Sequence, residues 1–174
     1  ADVRAAEPLP RFDNSAVDGY AVAIPAEGIP AAPVRFPVAG ESRAGVPYPQ
    51  PLQPGTAVRI STGAVVPGGA DLVVMVEHTR RDDDDVIVNA IDPSRTNIRR
   101  SGEEVAPGDL LARAGSRLTP PMLAWLAGFG IVEVDVYLPP RVAVLTTGQE
   151  LVDFREVPKA GQIRNTNQLF LDQL

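Results

Sequence analysis

The sequence contains no cysteine and a single histidine, and these absences exclude several kinds of chemistry. Without cysteine the chain forms no disulfide bond, thiolate zinc site or cysteine nucleophile. This composition fits a reducing compartment, and we expect a cytoplasmic protein. His78 has no second histidine with which to build a histidine-rich metal site, and we interpret it as a bystander.

Long apolar runs and an excess of positive charge are also absent. The longest apolar runs, such as residues 72–76, are far shorter than the ~18 to 20 residues of a membrane-spanning helix. The 16 basic and 22 acidic residues give a net charge of −6. Nucleic acids and anionic membranes are bound largely through basic surfaces. We therefore expect neither of them as a partner.

Proline and glycine are abundant, with 18 and 15 residues in a chain of 174, which excludes an all-α fold. Apolar periodicity predicts five strands, at residues 20–24, 34–38, 57–61, 71–77 and 86–91. The four aspartates at 82–85 predict a turn that joins two strands as a hairpin. This part of the chain is therefore predicted to be a β-rich barrel or sandwich.

The pattern changes after residue 107. Thr119 is a candidate cap for a helix, and residues 131–136 alternate like a half-exposed strand. Residues 141–146 form an apolar run typical of a strand buried on both faces of a parallel sheet, and a helix is predicted from Asn165. One such strand and one helix cannot form a parallel sheet, so we expect a fragment cut inside an α/β domain.

Polar residues concentrate in five short segments, at residues 10–20, 59–64, 97–104, 146–150 and 161–166. Asp18 and Ser15 offer a carboxylate and a hydroxyl for a metal-bound phosphate, although the same residues also form ordinary turns. Arg99 and Arg100 could hold an anion, or belong to a solvated loop of mixed charge. Arg164 precedes the predicted helix, where a phosphate or oxyanion can bind.

Four motifs, in order and spacing, resemble the molybdopterin molybdotransferases, the family of MoeA and the gephyrin E domain. They are residues 11–22, residues 59–64 with Pro67 and 70–74, residues 97–103, and residues 147–151 with 161–164. The resemblance implies a mainly β, elongated multi-domain fragment with an α/β part. The implied domains are a β-rich domain at 8–107, a small discontinuous α+β domain at 1–7 and 108–138, and the start of a truncated α/β molybdopterin-binding domain at 139–174.

The resemblance also implies an activity in molybdenum cofactor biosynthesis. Members of the family insert molybdate into adenylylated molybdopterin with Mg²⁺ and release AMP, at a cleft between the subunits of a homodimer. A molybdopterin adenylyltransferase and molybdoenzyme apo-proteins are implied as partners. A fragment that lacks most of the α/β domain is expected to be inactive alone.

Functional residues follow from the resemblance position by position. The catalytic positions are Asp18, Thr62, Glu104 and Glu150, and the three carboxylates among them are the implied metal ligands. Substrate or anion binding is expected from Ser15, Arg99, Arg100 and Arg164. Gln149 stands where bacterial relatives often have aspartate.

Two other functions remain open at this stage. A non-catalytic dimerisation or scaffold module would use the β domain to hold a partner. A metal-dependent phosphohydrolase or a carbohydrate-binding β domain would explain the carboxylates, although it would not explain four motifs in order.

Overall fold

The computed structural model describes residues 1–173, which divide into one unit at Ala1–Glu133 and a second from Val134 onward. The first unit contains ten strands in chain order: β1 (Val3–Arg4), β2 (Asn14–Ser15), β3 (Gly19–Val22), β4 (Val34–Ser42), β5 (Ala57–Ile60), β6 (Leu72–Met75), β7 (Thr79–Asp82), β8 (Asp85–Val88), β9 (Ile98–Arg99) and β10 (Leu110–Ala112). Helix α1 (Pro120–Gly128) follows them. The protein is mainly β, as its sequence predicts.

A curled six-stranded sheet in the order β6-β3-β5-β4-β8-β7 organises the first unit. Every neighbouring pair is antiparallel except β4 and β5, which run parallel. Alternate residues of β3 enter two apolar clusters, because successive side chains of a strand point to opposite faces. Tyr20 and Val22 pack with Phe36 in one cluster, and Ala21 packs with Val58 in the other.

Strand β3 lies between β5 and β6 and is buried along its whole length. A Cβ atom on Gly19 would lie 1.9 Å from the Val74 carbonyl oxygen, so only glycine fits this position. Gly19 is paired with Ile60 on one side and with Met75 on the other. The close approach of backbones at Gly19 therefore fixes the register of three strands.

Two small pairs lie outside the large sheet in the first unit. Strand β1 pairs with β10, and β2 pairs with β9, both antiparallel. The β1–β10 pair brings the start of the chain against residues after 108, which are the two parts of the predicted discontinuous domain. The boundaries of that domain remain a prediction.

Helix α1 confirms the helix predicted after Thr119. Two prolines occupy its first turn, where a missing backbone N–H costs no helical hydrogen bond. Thr119 stands at the capping position, but its side chain makes no capping hydrogen bond. Leu126 is buried, and Trp125 packs edge-on against Phe129 with ring centroids 5.0 Å apart.

The second unit contains a short parallel pair, β11 (Leu151–Val152) with β12 (Ile163–Arg164), followed by helix α2 (Thr166–Leu171). The Asn165 side chain caps α2 by accepting a hydrogen bond from the Gln168 N–H at 3.2 Å. This confirms the predicted helix start, although α2 is shorter than the sequence pattern indicates. Residue 174, the last of that pattern, lies outside the described residues.

Three expectations about strands are wrong. Residues 131–136 and 141–146 form no strand, and Val132 and Leu145 are 90% and 88% exposed, because no described segment offers them a strand edge for backbone hydrogen bonding. The hairpin at 82–85 exists, but its first strand is the charged β7 rather than residues 71–77. A single turn of 3₁₀ helix, Val76–His78, separates β6 from β7.

Neither helix found in residues 1–173 has both the length and the apolar character needed to cross a membrane.

Replacing Gly19 with alanine should destabilise the first unit, because the new methyl group would overlap the Val74 carbonyl in the middle of the sheet. Overpacking of this kind costs about 1–3 kcal/mol or more of unfolding free energy. Gly68→Ala is the matched control, since its added Cβ would meet nothing nearer than Pro51 Cβ at 4.0 Å. Chemical denaturation followed by circular dichroism measures both variants, and equal stability would show that the backbones do not approach so closely at Gly19.

Candidate functional site

Asp18 and Thr62 meet where two neighbouring strands end. Asp18 immediately precedes β3, and Thr62 follows β5 by two residues. Because Gly19 is paired with Ile60, the two side chains lie side by side although they are 44 residues apart in sequence. Asp18 Oδ1 accepts hydrogen bonds from the Thr62 N–H at 2.7 Å and from the Thr62 hydroxyl at 2.9 Å. The structure therefore brings two predicted site residues into direct contact.

These two hydrogen bonds favour the ionised form of Asp18. The backbone N–H and then the hydroxyl of Thr62 lower the pKa of Asp18 below its ordinary value of 3.8, and the nearby positive charge of Arg59 lowers it further. Within residues 1–173, Asp18 Oδ2 accepts no hydrogen bond. Asp18 is thus an exposed, ionised carboxylate with one oxygen held in place and the other open to a ligand.

A second polar cluster contains Asp13, Arg100 and Ser101. Arg100 donates to Asp13 Oδ2 at 2.6 Å, and the Ser101 N–H donates to Asp13 Oδ1 at 2.8 Å. These contacts lower the pKa of Asp13, with the Ser101 hydrogen bond as the larger cause. The cluster ties the loop before β2 to the loop after β9, so the predicted anion-binding residue Arg100 is already paired with a carboxylate.

Arg99 is paired in the same way. Its guanidinium forms ion pairs with both Glu103, at 3.3 Å, and Glu104. The Arg100 N–H also donates to Glu103 Oε2 at 2.7 Å. The predicted metal ligand Glu104 therefore has a cationic partner on its own loop, and its role as a ligand remains a prediction.

Ser15 is fully buried, and its hydroxyl lies within a local turn. The hydroxyl donates to the Val17 carbonyl at 2.6 Å, while the Val17 N–H donates back to it at 3.3 Å. This arrangement stabilises the turn before β3 and leaves no hydroxyl surface for an anion. The geometry therefore gives no support to the predicted anion binding at Ser15.

Glu150 and Arg164 belong to the second unit. Glu150 precedes β11, and its carboxylate folds back over Gly148, where a Cβ would lie 2.6 Å from Glu150 Oε1. Arg164 is in the neighbouring strand β12, and its Nε–H donates to the Glu156 carbonyl at 3.1 Å. Glu150 thus adjoins one strand of the β11–β12 pair and Arg164 lies on the other, and their roles remain predictions.

Residues 1–173 contain no cluster of three or more histidine, cysteine, aspartate or glutamate side chains that could hold a metal ion. Asp18 offers one open oxygen, while Glu104 is paired with Arg99. Within the first unit, Asp18 is thus the better placed of the two predicted ligands.

Arg59, which is not among the predicted site residues, lies on β5 three residues before Thr62. Its side chain is 66% exposed, and its ion-pair contact within residues 1–173 is a long one, 3.9 Å from Arg59 Nε to Glu41 Oε1. The signal in the sequence was a charged residue within the apolar strand 57–60. Its position relative to Asp18 depends on strand register, which the sequence alone does not reveal.

The Asp18–Thr62 contact gives a prediction about titration. Thr62→Val should raise the pKa of Asp18 part of the way towards 3.8, because the hydroxyl donor is lost while the backbone N–H remains. The hydrogen bonds favour the ionised form, so their stabilisation is present above the ordinary pKa and is lost as the pH falls through the lowered folded pKa. NMR titration of the side-chain carboxyl carbon measures the shift. Thr56→Val is the control, since the Thr56 hydroxyl donates to the carbonyl of Gln53. An unchanged Asp18 pKa in Thr62→Val would contradict the conclusion that the Thr62 hydroxyl lowers it.

Comparison with known proteins shows the family to which the chain belongs. Residues 1–130 match the family profile described as the MoeA N-terminal region (domain I and II). The chain is 42% identical over 160 residues to the molybdopterin molybdenumtransferase of Haemophilus influenzae, covering 91% of this chain and 39% of that protein. It is also 42% identical over 172 residues to molybdopterin molybdenumtransferase 2 of Mycobacterium tuberculosis, covering 98% and 42%.

Solved structures agree with the sequence matches. Two crystal structures of the molybdopterin biosynthesis MoeA protein from Pyrococcus horikoshii superpose with TM-scores of 0.81 and 0.83, at 34% and 32% identity. They cover 98% and 99% of this chain, which corresponds to 44% and 46% of the matched chains. The chain thus spans about two fifths of the length of the curated relatives it matches. Profile, sequence and fold agree, and the chain belongs to the MoeA family, matching its N-terminal region.

Proposed function

We propose that the protein acts in molybdenum cofactor biosynthesis as a molybdopterin molybdenumtransferase, which inserts molybdate into adenylylated molybdopterin and releases AMP. Family membership supports the general activity, since the relatives from H. influenzae and M. tuberculosis carry that name. The observation that carries the proposal is the Asp18 carboxylate held by Thr62, at two positions where the resemblance expects functional residues.

The chemistry of the substrates explains why such a carboxylate needs an oriented partner. Molybdate and the phosphoanhydride are anions, and a bare carboxylate would repel them. Thr62 holds Asp18 Oδ1 from two directions, which fixes the direction in which Oδ2 points. An ionised, oriented oxygen of this kind can bind a cation or accept a proton without rearranging during the reaction.

A divalent cation such as Mg²⁺ fits one part of the site. Hard cations take oxygen ligands, and Asp18 Oδ2 is an ionised carboxylate oxygen open to such a ligand. Mg²⁺ usually keeps several waters and binds through one or two carboxylates together with substrate phosphates. When bound, the ion would neutralise charge on the phosphoanhydride. In the first unit Asp18 would hold the ion, and Glu104 is the further proposed ligand there, directly or through water. The ligand role proposed for Glu150 belongs to the second unit.

The region described here is proposed to be inactive by itself and to act within a longer, homodimeric protein. It spans about two fifths of its relatives, and Asp18 and Glu150 belong to separate units of the fold. A molybdopterin adenylyltransferase is the proposed source of the adenylylated substrate, and molybdoenzyme apo-proteins are the proposed recipients of the product. The absence of cysteine fits a cytoplasmic location.

Asp18→Asn in the full-length protein should abolish molybdate insertion, with a loss of about 100-fold or more, because the charge is removed while the acceptor for Thr62 remains. The fold should be spared, since Asp18 is exposed. AMP release that depends on molybdate, followed in purified protein with adenylylated molybdopterin, is the measurement.

Asp92→Asn is the matched control for this test. Asp92 is likewise an exposed carboxylate, and its pKa is lowered by hydrogen bonds from Ser94, but it lies outside the predicted site. Full activity in Asp18→Asn would remove the proposed role of Asp18. Phosphate release from a generic ester without molybdate would favour a phosphohydrolase, and dimerisation without any turnover would favour a scaffold.

A further inference from the structure

We propose that Arg59 is the anion-binding residue of the Asp18–Thr62 site and holds an oxygen of a tetrahedral oxyanion, either molybdate or a phosphate of the phosphoanhydride, beside Asp18. This inference rests on the proposed function for the identity of the oxyanion. It is supported by the strand register that brings Arg59 near Asp18, by the exposure of Arg59, and by the ion pairs that Arg99 and Arg100 already form.

Strand register places Arg59 next to Asp18. Arg59 lies opposite Tyr20 on β3, and Tyr20 is two residues from Asp18. Asp18 directly precedes β3, so Arg59 is its diagonal neighbour at the end of the β3–β5 pair, close enough for its positive charge to lower the pKa of Asp18. Such diagonal neighbours lie about 7–8 Å apart at their Cα atoms, within reach of long side chains. Arg59 and Asp18 form no ion pair within 4.0 Å, which leaves the guanidinium available to a ligand.

At the same end of the sheet, acidic and basic side chains alternate from one strand to the next. On the other side of Arg59, the parallel pairing of β4 with β5 places Glu41 opposite it. Glu41 lies 3.9 Å from Arg59 Nε and 3.7 Å from Arg43 Nε, so a single carboxylate faces two arginines at long range. Exposed pairs of this geometry contribute little, so an incoming oxyanion can replace the Glu41 contact of Arg59 at small cost.

The two other arginines of the first unit that the sequence predicts to bind anions are already paired with carboxylates. Arg99 is paired with Glu103 and Glu104, and Arg100 is paired with Asp13 at 2.6 Å. Binding of an anion to either of them would require breaking an existing ion pair, which for Arg100 also joins two loops. Arg59 carries no such constraint, and it presents a planar group of N–H donors that matches two oxygens of a tetrahedral anion.

The test uses the full-length protein, with molybdate and adenylylated molybdopterin varied separately. Arg59→Gln should raise the KM for one of the two by about tenfold or more, the loss expected for one charge-assisted hydrogen bond, while kcat changes much less. A rise for molybdate assigns molybdate as the bound oxyanion, and a rise for the adenylylated substrate assigns the phosphoanhydride. Arg59→Lys should recover part of the loss, because it restores the charge without the planar pair of donors.

Arg43→Gln is the matched control, since Arg43 contacts the same Glu41 and is 64% exposed, but follows β4 and lies on neither β3 nor β5. It should leave both KM values unchanged. Unchanged KM values in Arg59→Gln, or equal effects in Arg43→Gln and Arg59→Gln, would overturn the assignment, since the latter result would indicate a general charge effect.

A second measurement separates this inference from the proposed function. In the 174-residue chain, NMR titration with molybdate and with pyrophosphate should shift the Arg59 Nε–H resonance and leave the Arg43 resonance in place. If the full-length protein has no transferase activity but this shift occurs, the oxyanion site stands and the proposed function falls. If transferase activity is present and neither the KM values nor the Arg59 resonance respond, the function stands and the assignment of Arg59 falls.

Discussion

The close packing of β3 between β5 and β6 is the constraint on which the first unit depends. Gly19 allows the Val74 carbonyl to approach the β3 backbone, and this approach sets which residues of β5 and β6 lie opposite β3. The same register places Asp18 beside Thr62 and beside Arg59. The geometry of the site is therefore a consequence of backbone packing in the sheet, and no long loop has to fold over to assemble it.

The charged side chains at the surface of this unit are of two kinds, those held in ion pairs and those left open to a ligand. Some of its ion pairs join segments that are distant in sequence, as in the pair of Arg100 with Asp13, while others, such as Arg99 with Glu103, are local. Asp18 instead receives neutral donors from Thr62, which keep it ionised without cancelling its charge. An uncancelled carboxylate beside a loosely paired arginine is what a site for an anion and its counter-cation requires, whereas tight ion pairs serve stability.

The sequence predicted the strands whose own residues are apolar and become buried. Strands β3, β5 and β6 are apolar on both faces, so their patterns identify them, whereas β7 consists of Thr-Arg-Arg-Asp and shows no apolar pattern. Residues 141–146 have the pattern of a buried strand, but a strand also needs a partner edge, which a pattern cannot supply. The motifs indicated Asp18 and Thr62 separately, and only the register revealed their contact and the position of Arg59.

The β1–β10 pair joins residues near position 3 to residues near position 112, with the whole six-stranded sheet between them in the chain. During synthesis on the ribosome, β1 emerges before the strands of the sheet and has no partner until β10 follows. At about 5–20 residues per second, this delay lasts about 5 to 20 seconds, whereas a hairpin such as β7–β8 closes in microseconds. The large sheet can therefore be complete before β1 finds its partner, so a strand that is made before the sheet is fixed in place only after it.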